Sequence, residues 1–174
     1  MHELGRLSPD AFDLTPRHSI VLVLDNIRSG LNVGSIFRTA DAFAIERIIL
    51  CGITPQPPHR EILKTALGAT ETVAWSYLET AAEAVAGLLE QGYHVYPVEQ
   101  TDKSIPLSEL ELRSGESHAL IFGNEVEGVS DAVIQMLPES IEIPQWGTKH
   151  SLNVAVSAGI VVWHVVYARI KGNV

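Results

Sequence analysis

Only one cysteine, Cys51, stands among the 174 residues. An intrachain disulfide is therefore impossible and a cysteine-based structural zinc site is excluded, so a reducing cytoplasm is the expected setting. The seven histidines show no metal-ligand spacing, and no metal is expected. No basic segment followed by an apolar run opens the chain, so no signal peptide is expected. The chain has neither a P-loop nor a Gly-x-Gly-x-x-Gly run, which argues against the common phosphate-gripping α/β proteins. Internal repeats, low-complexity segments and domain linkers are also missing. Basic residues are scarce, 12 Lys and Arg against 21 Asp and Glu, for a formal charge of −9. That balance argues at first against nucleic acid. The distribution of charge points the other way. Residues 71–146 hold fourteen acids and two bases, whereas residues 1–70 are balanced at seven each and residues 147–174 hold three bases and no acid. A neutral-to-basic face made by the two ends of the chain remains able to meet RNA.

What is present is hydrophobic, 46% of the chain, enough for one globular domain with a substantial core. Residues 1–19 read as a short extension and residues 20–174 as the domain. Within it, strand and helix patterns alternate. Strands are expected over residues 20–24, 47–51, 93–98, 118–122 and 140–143. Helices are expected over 32–43, over 79–91 before the C-cap Gly92, and over 130–137. Residues 54–58 form a proline-rich turn, and residues 99–115 are expected as loop with one turn. The last helix, expected over 151–171, has no charged residue between Ser151 and Tyr167. Such a helix is deeply buried or in a membrane; Ser151, Asn153 and His164 and its length favour burial, partly against a second subunit. The fold class is α/β, a mostly parallel sheet flanked by helices.

Three polar, glycine-containing clusters interrupt this apolar scaffold: Asn32-Val33-Gly34-Ser35 with Arg38, Phe122-Gly123-Asn124-Glu125 with Gly128, and Ser151-Leu152-Asn153-Val154 after Ile143-Pro144-Gln145-Trp146-Gly147. The last lies at a helix start, where backbone N–H groups lack partners and a polar ligand can be held. Together they suggest one composite site.

In this order and spacing the clusters resemble the motifs of the SpoU (TrmH-like) branch of the SPOUT superfamily of S-adenosylmethionine-dependent RNA methyltransferases, over residues 20–167. The resemblance implies a parallel sheet whose C-terminal part is tied in a deep trefoil knot, a homodimer, and methylation of a ribose 2′-hydroxyl. The knot is a departure from the usual avoidance of threading that no periodicity would reveal. It implies cofactor contacts from Val98, Gly123, Ile143 and Leu152, the two aliphatic residues enclosing the adenine. It implies catalytic roles for Arg38, Glu125, Ser151 and Asn153, with Asn32 helping to build the site. The family assigns the motif-one arginine as general base, but a guanidinium stays protonated in proteins. Bidentate binding of the phosphate beside the reactive ribose asks less of Arg38. Glu125 would orient Arg38 or neutralise local charge.

Ordinary roles compete with these: Asn32 or Ser151 as a helix N-cap, Arg38 in a surface ion pair, Ile143 and Leu152 as core, Gly123 as a strand-end turn. Lys64 is a secondary RNA-contact candidate, His150 reads as a solvated loop residue, and Trp75, Trp146 and Trp163 read as packing residues, Trp146 with the option of walling the site. The expected substrate is tRNA, with rRNA second, because few residues precede the first strand. A non-catalytic RNA-binding dimer of the same fold is the alternative from another class. No membrane partner is expected.

Overall fold

Residues 20–24, Ile-Val-Leu-Val-Leu, have no polar member, the composition of a strand covered on both faces. In the computed structural model, which describes residues 16–112, 115–148 and 151–171, they form the centre of β1 (His18–Asp25), and all five are wholly buried. β1 pairs in parallel with β2 (Ile45–Cys51) on one side and with β6 (His118–Gly123) on the other. β3 (Ala74–Leu78) lies outside β2, and β4 (His94–Pro97) outside β6, giving a parallel sheet in the order β3-β2-β1-β6-β4. β5 (Ser104–Pro106) and β7 (Ser140–Glu142) form a second parallel pair, joined to the end of β4 by a bridge from Val98 to Ile141.

The period of two along β1 sorts its side chains between two cores. Ile20, Leu22 and Leu24 pack with α1 (Gly30–Ala42), α2 (Arg60–Ala66), α3 (Ala69–Thr72) and α6 (Val154–Lys171). Val21 and Val23 face α4 (Ala81–Glu90) and α5 (Asp131–Met136). The result is the expected α/β class with helices on both faces. Along the sheet, chain order reverses between β1 and β6, whose ends Asp25 and Gly123 are register partners. Open α/β sheets bind ligands beyond the strand ends at such a reversal.

Several boundaries differ from the sequence reading. β3, α2 and α3 were not expected, and residues 99–115 contain β5 as well as a single 3-10 turn (Leu107–Glu109). α1 starts at Gly30, capped by Ser29, whose Oγ accepts the Asn32 N–H at 3.3 Å. Asn32 is thus not a cap, and its side chain is free for another use. α1 and α2 touch at backbone level: a Cβ on Gly34 would lie 2.2 Å from Thr65 Oγ1 and 2.3 Å from the Ile62 carbonyl oxygen. Any larger residue at position 34 would force α1, and Asn32 with it, away from α2.

The last helix begins at Val154, three residues later than Ser151. Asn153 is its cap, its Oδ1 accepting N–H groups of Ala155 (2.9 Å) and Val156 (3.4 Å). Nor is this helix buried all round. Val154, Ala158, Val161, Val162, Val165 and Val166 enter the core, while Val156, Ile160, Trp163, Tyr167 and Ile170 are exposed. Its length and composition would suffice to cross a membrane, but here its inner face packs on α1 and the sheet. Trp163 is therefore half exposed, its ring packed on Phe43 at 5.9 Å and on Tyr167 at 5.2 Å between ring centroids. Most of the N-terminal extension (residues 1–15) and His150 lie outside the described residues.

Candidate functional site

Beyond β6 the chain reverses in a tight loop. Asn124 and Gly128 exchange backbone hydrogen bonds at 3.0 and 2.9 Å, and the buried Asn124 side chain accepts the Val126 and Glu127 N–H groups at 2.8 and 3.0 Å. Gly128 sits at φ +72°, a conformation glycine adopts without strain. Two carboxylates hold the exit of the loop. Glu99 accepts the Val129 N–H at 3.1 Å, and the buried Asp25 accepts the Ser130 N–H at 2.8 Å. Glu125 is thereby carried on a braced loop at the mouth of the sheet.

A cleft of about 250 Å³ opens there. Its lining includes Val98 from the end of β4, Gly123 and Glu125 from the β6 loop, Ile143 after β7, and Ser151 and Leu152 before α6. All four cofactor-contact candidates and two of the catalytic candidates thus surround one space. Asn32 and Asn153 join through hydrogen bonds. Asn153 turns its Oδ1 to the helix N–H groups, so its Nδ2 faces outward and donates to Asn32 Oδ1 at 3.1 Å. Asn32 Nδ2 is then left to donate to Glu125 Oε1, at 2.6 Å. One residue from each motif cluster stands in this chain of amides, and the cap of α6 sets the orientation of every member. The short Asn32–Glu125 contact has an ionised acceptor, the stronger kind of hydrogen bond.

Arg38 departs from expectation. It is exposed on α1, with no hydrogen bond or ion pair among the described residues, and Glu125 is engaged with Asn32 instead. Six residues beyond Asn32 it lies about 9 Å farther along the helix axis, and it does not line the cleft. Ser151 lines the cleft but does not cap α6. Gly123 lines the cleft and is also needed by the fold: a Cβ there would lie 2.1 Å from Gly128 C and Val129 N, where the loop folds back on the strand. Trp146, expected to pack, is 93% exposed. Lys64 is exposed in the last turn of α2, outside the cleft lining.

Asp25, Glu99, Asn124 and the cleft residue Glu142 were missed by sequence reasoning. Glu142 accepts a hydrogen bond from Ser104 Oγ at 2.8 Å. Only Asn124 carried a signal, its place beside Gly123 and Glu125. At the opposite end of the strands, burial lowers the His118 pKa to about 4, aided by Arg169 and His94 and opposed by Glu116. It is neutral there and remote from the cleft. No group of three or more His, Cys, Asp or Glu among the described residues is arranged to hold a metal ion.

Comparison with known proteins agrees with the fold. The SpoU rRNA Methylase family profile matches residues 19–163. The chain is 30% identical to the 23S rRNA (guanosine-2'-O-)-methyltransferase RlmB of Neisseria meningitidis, over 88% of this chain and 60% of that protein. It is 31% identical to the 23S rRNA (guanosine(2553)-2'-O)-methyltransferase RlmP of Bacillus subtilis, over 83% and 57%. It therefore spans about 60% of the length of these relatives. Among solved structures, an AdoMet-bound rRNA methyltransferase from Sinorhizobium meliloti superposes with a TM-score of 0.79 at 26% identity, covering 92% of this chain and 60% of that one. A structure described as giving insights into the 2-OH methylation of C/U34 on tRNA superposes with a TM-score of 0.76 at 25% identity, covering 88% and 97%.

Proposed function

Because the chain belongs to the SpoU rRNA Methylase family, we propose that it transfers the methyl group of S-adenosylmethionine to a ribose 2′-hydroxyl of RNA. The observation that carries this reading is the amide chain from Glu125 through Asn32 to Asn153, which ties all three motifs to one cleft. The cleft also suits the cofactor. Val98, Ile143 and Leu152 offer aliphatic walls to an adenine, and Glu99, Glu125 and Glu142 line it with no Lys or Arg among the described lining residues, a lining favourable to a cation. When bound, S-adenosylmethionine supplies an electrophilic methyl group on a positively charged sulfur. The chain's own residues hold and align. Ser151, exposed at the lining, bonds the ribose, and the Asn32–Glu125 pair keeps that edge of the site in register. Arg38, a free cation on the rim of α1, grips the phosphate next to the reacting ribose, a task for its planar fork that requires no loss of a proton.

For substrate we favour tRNA, supported by the tRNA-methylating neighbour matched over 97% of its length. The 23S rRNA relatives favour rRNA as the second reading. The same reading puts the protein in the cytoplasm with its RNA, and gives the C-terminal segment a trefoil knot. The crowding of segments 98–99, 123–129, 141–145 and 151–154 around one cleft supports that knot. Ribose-methylation maps of total RNA from cells with and without the gene test the activity, alongside calorimetric titration of the protein with S-adenosylmethionine. One position should lose its methyl group and regain it on complementation, with one cofactor bound per subunit. Cofactor binding without any change in the map would point to a non-catalytic RNA-binding protein. No cofactor binding by the folded protein would end the reading.

The working unit is a homodimer. The exposed residues of α6 are spaced by four, three, four and three, from Val156 through Ile160, Trp163 and Tyr167 to Ile170. That is the seam spacing of a helix that meets another helix. Light scattering should give twice the 19.0 kDa chain mass, and Trp163→Glu should yield monomers without activity. An active wild-type monomer at micromolar concentration would refute the dimer.

A further inference from the structure

The two most exposed large apolar side chains among the described residues both rim the cleft. Trp146 is 93% exposed and Val126 79% exposed; Val126 and Gln145, the neighbour of Trp146, both line the cleft wall. Trp146 makes no ring contact with any described residue, and Gly147 beside it faces open space. An indole left in water forgoes a large burial, since aromatic side chains bury some 150–250 Å² each. The described lining of the cleft is also acidic, with Glu99, Glu125 and Glu142 and no Lys or Arg among its described residues. The described lining offers RNA phosphates no positive charge, so a recognition element among these residues works by other means. Stacking does so, because every nucleobase has an aromatic face and unpaired bases are commonly held on Trp, Tyr or Phe.

We propose that Trp146 is the stacking platform for the base of the acceptor nucleotide. This rests on the RNA-methylating reading above, which brings a ribose into the cleft. The base joined to that ribose must then lie at the rim, where Trp146 stands. The division of labour follows the charge map, with Arg38 on the side of α1 taking phosphate and Trp146 on the acidic side taking the base. Trp146 is not on α6 and so is not one of the residues of the seam assigned to the dimer.

The test compares Trp146→Phe, Trp146→Leu and Trp146→Ala with wild type, using bulk RNA from cells lacking the gene and saturating S-adenosylmethionine. Stacking acts equally on bound substrate and transition state, so KM should rise with kcat little changed. The alanine and leucine variants should show KM raised about tenfold, within what base–aromatic stacking contributes, and phenylalanine should restore most of it. Cofactor affinity should be unaltered in all three. In parallel, RNA should quench a tryptophan emission component that is absent from Trp146→Phe. That quenching is read whether or not methyl transfer occurs, so quenching without methylation would count against the enzymatic reading alone. An unchanged KM in Trp146→Ala, or leucine restoring as well as phenylalanine, would overturn the platform. So would a Trp146→Ala variant that fell apart into monomers, which would assign the indole to a subunit contact.

Discussion

Replacing Asn32 by leucine should lower the single-turnover rate of methyl transfer by about 100-fold while leaving the protein folded and its cofactor bound, since a displacement near 1 Å in a positioned site costs that much. Leucine keeps the volume and removes both polar ends. Glu125 then loses its 2.6 Å donor and Asn153 loses its 3.1 Å acceptor. These groups lie at a partly open surface and water can replace the lost partner, so the stability cost should be only about 1 kcal/mol. Asn32→Asp is the sharper variant. It preserves shape but can only accept when ionised, and it sets a second carboxylate against Glu125. It should be as slow as the leucine variant at neutral pH. A rate within threefold of wild type for both would mean that the amide chain has no part in positioning.

Gly123→Val should have a larger effect on the protein itself. The new Cβ would start 2.1 Å from the backbone of Gly128 and Val129, and no side-chain rotation relieves a clash with main chain. The loop has to lift away from β6. It would strain the bonds from Glu99 to Val129 and from Asp25 to Ser130, and carry Glu125 out of the cleft. A cost of roughly 3 kcal/mol, the upper part of the usual range for overpacking, is expected. In a domain of this size that lowers Tm by about 6–12 °C. Calorimetry should show no cofactor binding at a temperature where the variant is still folded. Gly147→Ala is the control, because nothing lies within 4 Å of its new methyl group; its melting temperature and affinity should match wild type. A Gly123→Val protein with wild-type Tm and affinity would contradict this account.

The clearest strands in the sequence are those buried on both faces, although β4 at the sheet edge and β7 were legible too. Residues 20–24 of β1, 48–51 of β2 and 119–122 of β6 are continuous apolar runs because each strand has neighbours on either side and helices above and below. β3 is an edge strand with Ala74, Ser76 and Tyr77 exposed, so Ala-Trp-Ser-Tyr-Leu offers no run to notice. In α2 only Ile62 and Ala66 are buried, too few to make a helical stripe visible. β5 is three residues ending in proline and exists only through pairing with β7. The site follows the same division. Its motifs were visible as local clusters, but Ser151 and Asn153 are both good caps, and only the structure shows that Asn153 holds α6. Asp25 and Glu99 bind N–H groups 105 and 30 residues away, which no local pattern could announce.

Cys51 gives this chain an experimental advantage. It is wholly buried at the end of β2, and desolvation, with Asp25 and Glu83 adding to it, raises the thiol pKa to about 12. The thiolate is the reactive form, so in the native state alkylating reagents and mild oxidants find no nucleophile. As no other cysteine is present, a thiol introduced at an exposed loop position would be the sole target of a maleimide dye or spin label. Distances between the rim of the cleft and bound RNA could then be followed in solution without first removing a native residue.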